Sequence, residues 1–189
     1  MTEAQTEVKR SKFLAVLVPI GRFDAMHARL RAEHPKANHI VWAKRWFNEE
    51  GQLQEASSDD GEPKGCAGKP VLQVMRGNGL VECGLFVVRY FGGIKLGTGG
   101  MARAYGAAAK EAVAQARLSL FEPAVTLKFH LSFEQIARWE YRLQGFGGCR
   151  VSKSFDEKGV WMEVEIPEGR EKELSAALEN ERLPFSIVR

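Results

Sequence analysis

The chain has 189 residues, of which 44% are hydrophobic and 27% are charged, a composition that predicts a folded core and excludes a disordered polypeptide. Its three cysteines are scattered, and its apolar runs are too short for a membrane helix or a signal core. We therefore expect a reduced, cytoplasmic protein. The formal net charge of +3 is uneven, being +5 over residues 1–121 and −2 over residues 122–189.

The first predicted elements alternate between strand and helix. The apolar run Phe13–Ile20 predicts a buried strand. One face of a helix is then marked at i, i+3, i+4 and i+7 by Phe23, Met26, His27 and Leu30, and this helix is expected to end before Pro35. The β-branched and aromatic residues of His39–Phe47 predict a second strand.

Glycine is concentrated in the middle of the chain, where 12 of the 19 glycines lie between Gly61 and Gly106. Glycine permits positive φ and close backbone approach, so this window is where we expect shaped loops. Two such loops are predicted, at Glu55–Pro70 and Gly92–Gly100. A short helix after Pro70 and a buried strand over Gly84–Phe91 separate them, and an alanine-rich helix follows over Met101–Arg117, with Thr98 as a candidate N-cap.

The last third of the chain predicts a second domain. Period-2 alternation marks three strands, helical spacing marks two helices, and Phe185–Val188 adds a last strand, which gives the order β-α-β-β-α-β of a ferredoxin-like fold. The fold class is therefore α+β with two domains, residues 1–121 and residues 122–189. The elements of the second domain are predicted at 125–131 (strand), 133–143 (helix), 149–155 (strand), 160–166 (strand), around 174–178 (helix) and 185–188 (strand).

The second glycine loop is a candidate anion site. Residues 64–110 hold seven Lys and Arg against one Glu, a net charge of +6. A glycine-rich loop before a helix offers free backbone N–H groups and the positive end of the helix dipole, which suit a phosphate. Alternatively, the glycines only permit a tight corner and close packing. The candidate RNA- or anion-binding residues are Lys95, Arg103, Arg89, Lys64, Lys69, Gly97, Thr98, Gly99 and Gly100.

The first glycine loop begins with acidic residues. Asp59, Asp60 and Glu62, together with His39, could hold a metal ion or act in acid–base chemistry. Alternatively, the carboxylates accept backbone N–H groups of the loop and pair with nearby Lys or Arg side chains. No established nucleotide motif or nucleophile–base pair fits the sequence, so we predict neither a cofactor nor a metal.

Two long motifs, Asp59–Pro70 and Arg89–Gly106, resemble the YigZ/IMPACT family, and the resemblance covers about residues 9–118, with a tail like that of the bacterial YigZ branch. It implies an N-terminal α/β sandwich like those of a ribosomal protein and of domain IV of elongation factor G. It also implies a C-terminal ferredoxin-like domain like domain V of that factor. Cys66 stands where the family usually has threonine, and Ile40-Val41 where it commonly has Asn-Cys, which disfavours a catalytic role for either position.

These observations predict a non-enzymatic, translation-associated protein that binds RNA or ribosomal components through a basic, glycine-rich surface. The alternative is an enzyme or small-molecule binder, in which the second loop holds a phosphate and the acidic loop with His39 supplies metal or acid–base chemistry. A third interpretation is a protein-interaction module. The oligomeric state is left open.

Overall fold

The computed structural model describes residues 2–147 and 149–188, and the chain divides into two compact units, unit 1 (residues 1–119) and unit 2 (residues 120–189). The fold is α+β, with an antiparallel sheet in each unit. None of the described helices is both long and apolar enough to span a membrane. Unit 1 contains β1 (Thr2–Val8), β2 (Ser11–Pro19), α1 (Phe23–Glu33), β3 (His39–Phe47), β4 (Leu53–Ser58), α2 (Gly68–Gly77), β5 (Cys83–Tyr90) and α3 (Gly97–Ala114). Unit 2 contains β6 (Ala124–Ser132), α4 (Ile136–Gln144), β7 (Arg150–Phe155), β8 (Gly159–Pro167), α5 (Glu171–Asn180) and β9 (Phe185–Val188).

The sheet of unit 1 has the order β1-β2-β5-β3-β4 and is covered on both faces. Helix α1 packs on one face, while α2 and α3 pack on the other. The central strand β5 is buried on both sides, as its continuous apolar run predicts. Gly84 in this strand allows α1 to approach closely, because a Cβ there would lie 2.2 Å from the ring of Phe23.

The directions of the strands place both glycine loops at the same end of unit 1. Both β4 and β5 pair antiparallel with β3, which lies between them, so they run in the same direction. The loops that follow them therefore leave the same end of the sheet, and α2 and α3 both begin there. Strand β3 starts at this end, and β2 also begins there, so His39, Arg89 and Phe13 form one row across three strands.

Several predicted boundaries in unit 1 are wrong. Strands β1 and β4 were not predicted. Both have polar sequences and lie at the two edges of the sheet, where a strand needs neither apolar periodicity nor burial on both faces. Strand β4 shortens the first loop to residues 59–67. Helix α3 begins at Gly97 rather than Met101, so the second loop spans residues 91–96, and Thr98 lies inside the helix instead of capping it.

Unit 2 has the predicted β-α-β-β-α-β order, with the sheet arranged β7-β8-β6-β9. Its core joins α4 and α5 to alternate residues of β6 and β8. The edge strand β7 differs from the half-buried strand expected from its alternation, because all six of its residues are exposed.

Candidate functional site

The candidate site lies at the end of unit 1 where β3 begins and where β4 and β5 end. This arrangement brings His39 and Arg89 next to the acidic turn Asp59–Glu62. Asp60 and Gly61 both adopt positive φ, at 45° and 86°, which turns the chain back over the sheet end. A Cβ on Gly61 would lie 3.5 Å from Nδ1 of His39, so the turn rests against that ring.

Asp59 holds the first glycine loop closed. Its Oδ1 accepts hydrogen bonds from the backbone N–H groups of Ala67 (3.0 Å) and Gly68 (2.8 Å), and its Oδ2 accepts one from Gly65 (2.7 Å). Burial raises the pKa of this carboxyl, but the three backbone donors and the charge of Lys69 outweigh burial, so the pKa lies below the ordinary aspartate value. Asp59 thus accepts hydrogen bonds from backbone N–H groups at the start of α2, where a helix leaves such groups without a partner.

Asp60 connects the same turn to α1 and β3 by hydrogen bonds. One carboxylate oxygen accepts a hydrogen bond from the guanidinium of Arg31 in α1, and the other accepts the backbone N–H of Ile40 at 2.6 Å. The carbonyl oxygen of Asp60 lies 2.7 Å from Nδ1 of His39. Because a carbonyl only accepts, this contact places a proton on Nδ1 and leaves Nε2 as the acceptor of the neutral ring.

Glu62 is the most deeply placed of the three carboxylates, with 8% of the residue exposed. Its Oε1 accepts hydrogen bonds from Nη1 of Arg89 and, at 2.7 Å, from the hydroxyl of Tyr105 in α3. Burial, and next the Glu62 hydrogen bond, raise the pKa of the Tyr105 hydroxyl above its ordinary value, so it remains a donor. Nε2 of His39 lies 3.8 Å from the same Oε1.

Arg89 is an internal group. Only 5% of the residue is exposed, and its guanidinium lies 5.7 Å from the ring of Phe13 and 5.6 Å from that of Phe91. Its Nε is buried and has no hydrogen-bond partner among residues 2–147 and 149–188. The structure therefore places Arg89 beneath the surface, in an ion pair with Glu62, and away from the exposed basic residues with which the sequence grouped it.

The remaining predicted cations are exposed. Lys64, Lys69, Lys95 and Arg103 form no ion pair within 4.0 Å in the described part of the chain. A Cβ on Gly99 would lie 3.8 Å from Nη1 of Arg103, so this guanidinium reaches back over the first turn of α3. Gly97, Thr98 and Gly99 are exposed in that turn, and the N-cap residue Leu96 supplies no side-chain acceptor.

The acidic turn has the contacts of a structural element. Each of its three carboxylates accepts at least two hydrogen bonds from loop, strand or helix groups. Within the described residues, no three His, Cys, Asp or Glu side chains are placed to bind a metal ion. His39 and Glu62 are two titratable side chains that approach each other here, with Nε2 and Oε1 3.8 Å apart, which is beyond the distance of a direct hydrogen bond.

Sequence reasoning missed two partners of the turn. Tyr105 looked like one more residue of an alanine-rich helix, although a lone tyrosine among alanines is itself a signal for a specific contact. Arg31 lies 29 residues from Asp60 along the chain, and no local pattern connects them.

The comparisons with known proteins show the family to which this part of the chain belongs. Residues 9–113, which include the whole acidic turn, both glycine loops and most of α3, match the family model of the Impact N-terminal domain. The chain belongs to the IMPACT family.

Similar proteins extend the match into unit 2. The chain is 34% identical over 177 residues to the IMPACT family member YigZ of Escherichia coli K12, covering 91% of this chain and 85% of that protein. It is 34% identical over 165 residues to a Thermus thermophilus IMPACT family member, covering 87% and 88% of the two chains. A crystal structure of a hypothetical protein superposes with a TM-score of 0.68 at 30% identity, covering 99% of this chain and 92% of the other.

Proposed function

We propose that this protein acts in translation by binding RNA or a ribosomal component through the exposed cations at the glycine-rich end of unit 1. One observation carries the proposal: the negative charges at this end are used internally, whereas Lys64, Lys69, Lys95 and Arg103 are exposed without ion-pair partners among the described residues. The net positive charge is thus available to a polyanion.

The start of α3 strengthens this argument. The first backbone N–H groups of a helix have no carbonyl partner within it, and the helix dipole adds partial positive charge there. Here the turn is built from glycines and is exposed, and the guanidinium of Arg103 reaches over it. A phosphate could therefore contact backbone N–H groups, Lys95 and Arg103 together.

The translation role rests on resemblance of fold. The sequence motifs suggest domains like those of a ribosomal protein and of elongation factor G, and the β-α-β-β-α-β order of unit 2 is compatible with a likeness to domain V of that factor. Such likeness is associational, so binding has to be tested on the residues themselves. The proposed setting is the cytoplasm.

The test is RNA binding as a function of salt. A single-stranded oligouridylate of about 20 nucleotides is titrated against the parent chain and a Lys95→Ala/Arg103→Ala variant. Removing one cation that neutralises a phosphate should reduce the slope of log K against log salt by about 0.7. We expect weaker binding and a slope about 1.4 smaller in magnitude for the variant.

The matched control is Arg22→Ala/Lys110→Ala, which removes the same charge from exposed residues away from the glycine loops, one after the end of β2 and one late in α3. If this control weakens binding as much as the first variant, only net charge matters and the proposed surface is incorrect. Salt-independent binding by the parent would also contradict the proposal.

A second function is favoured by one observation, the approach of His39 Nε2 to Glu62 Oε1 at 3.8 Å. His39 and Glu62 could act as acid and base, which would move a proton to or from a small phosphorylated ligand held by the second loop. A thermal-shift screen with nucleotides and divalent cations tests it, because a ligand that binds the native state raises the unfolding temperature. A shift that His39→Gln abolishes would support this function over RNA binding, and the absence of any shift would reject it.

A further inference from the structure

The edge strand β7 of unit 2 is open along one side. It pairs with β8 on its other side, and none of the described residues forms a second strand beside it. All six of its residues are exposed. An open edge presents unpaired N–H and C=O groups, which an extended chain can satisfy by adding a strand.

A groove lies beside this edge, between β7 and α4, with a volume of about 430 Å³. Leu143, Cys149 and Val151 give it an apolar floor, and Glu140 and Lys153 form an ion pair across it. A strand added to β7 would point every second side chain into the groove, because side chains alternate between the two faces of a sheet.

The alternation of β7 defines what these side chains should be. Val151 and Phe155 stand opposite Val164 and Val160, which are buried, so they face the helix side of the sheet. They nevertheless remain 39% and 66% exposed. An added strand with apolar residues on its helix-side face would cover both.

Charge defines the other face. On this face β7 carries Arg150 and two serines, and no acidic residue, whereas Lys153 points to the groove and pairs with Glu140. Arg150 stands opposite Glu165 on β8, and its Nη1 lies 3.7 Å from Oε2 of that residue. Its side chain is 85% exposed, and the side of Arg150 away from β8 is open. An acidic residue on an added strand would reproduce on the outer side the pairing that β8 makes on the inner side.

A second copy of this chain fits the edge less well. In the antiparallel pairing that sets Val151 opposite the Phe155 of a second copy, Lys153 stands opposite its own equivalent. Like charges that stand directly opposite each other destabilise a strand pair. The like charges thus disfavour a symmetric dimer.

We propose that β7 and the groove beside it bind an extended segment of a partner protein by strand addition. The segment has apolar residues at alternate positions, which enter the groove, and acidic residues between them, which lie on the open face beside Arg150. This proposal rests on residues of unit 2 and does not depend on the function proposed for unit 1.

The test uses the ¹⁵N-labelled full chain and a blocked peptide that alternates Glu and Val over nine residues, the length of β8. We expect saturable NMR shifts confined to residues 140–155 and the adjoining β8, and binding about tenfold weaker for a peptide with Lys in place of each Glu. The Val151→Glu variant should bind about tenfold more weakly or worse, because it removes apolar surface and places a charge against the apolar side chains of the segment.

The matched control is Ile187→Glu on the opposite edge strand, where Ile187 is also 39% exposed. This variant should bind the peptide like the parent. No shift up to about 1 mM peptide, shifts centred on β9, equal weakening in both variants or equal binding of the Lys peptide would each overturn the proposal. So would a parent dimer that Val151→Glu converts to a monomer, since the occupant would then be a second copy.

Discussion

Among single residues, the pair of Glu62 and Arg89 should be the most sensitive to substitution, because both side chains are buried and each neutralises the other. We expect Glu62→Ala to lower the free energy of unfolding by about 3–5 kcal/mol, since it leaves a buried guanidinium without its counter-charge. Urea denaturation followed by circular dichroism measures this change.

The control for that substitution is Glu163→Ala, which removes an exposed partner of Lys128. Exposed ion pairs contribute little, so a decrease below about 1 kcal/mol is expected. If Glu62→Ala lowers the free energy of unfolding no more than Glu163→Ala does, the buried ion pair of the acidic turn contributes no more to stability than an exposed pair.

Asp59 should make stability depend on pH. Its folded pKa is lowered, so its contribution is present above the unfolded value of about 3.9 and is lost as pH falls through the folded value. We expect the parent to lose stability over this interval more steeply than Asp59→Asn, which cannot titrate. At neutral pH the variant should be less stable by about 1–2 kcal/mol, because an amide NH₂ replaces one acceptor.

Thermal unfolding between about pH 2 and pH 7 measures the difference, with Asp24→Asn as the control on an exposed aspartate. Parallel pH profiles for the parent and Asp59→Asn would show that the backbone donors do not select the charged form of Asp59.

At the scale of elements, the packing of α1 on the sheet depends on Gly84. A Cβ at this position would lie 2.2 Å from the Phe23 ring, so Gly84→Ala should displace the helix and lower the free energy of unfolding by about 1–3 kcal/mol. Gly106→Ala is the control, because nothing lies within 4 Å of a Cβ there. It should be neutral or stabilise α3 by up to about 1 kcal/mol. Equal effects would contradict the close approach of α1.

Elements with a strong burial pattern were predictable from sequence, and edge elements were not. Strand β5 and the strands β6 and β8 have apolar residues where the core requires them, so their types were predicted correctly. Strands β1 and β4 are held by backbone pairing to one neighbour and have polar sequences. Backbone hydrogen bonds do not require alternating apolar side chains, so side-chain periodicity does not predict these two strands.

At the scale of the whole molecule, the described residues form three buried clusters, two on opposite faces of the unit 1 sheet and one in unit 2. Leu85 in unit 1 and Leu127 in unit 2 are both fully buried, so each substitution to alanine should cost about 2–5 kcal/mol. Hydrogen exchange should show reduced protection mainly in the unit that carries the substitution. A reduction spread evenly over the chain for either variant would indicate one cooperative core.

The sequence by itself determined the α+β class, the β-α-β-β-α-β order of unit 2, the two glycine loops and the family, because periodicity, turn residues and long motifs are local properties of the chain. Tertiary structure decided which charges are available. Arg89 and Lys95 are both cations of one motif, yet the first is paired with Glu62 inside unit 1 and the second is exposed. That difference depends on strand register and on interactions between residues far apart in the chain, such as Glu62 with Tyr105, which no local pattern contains.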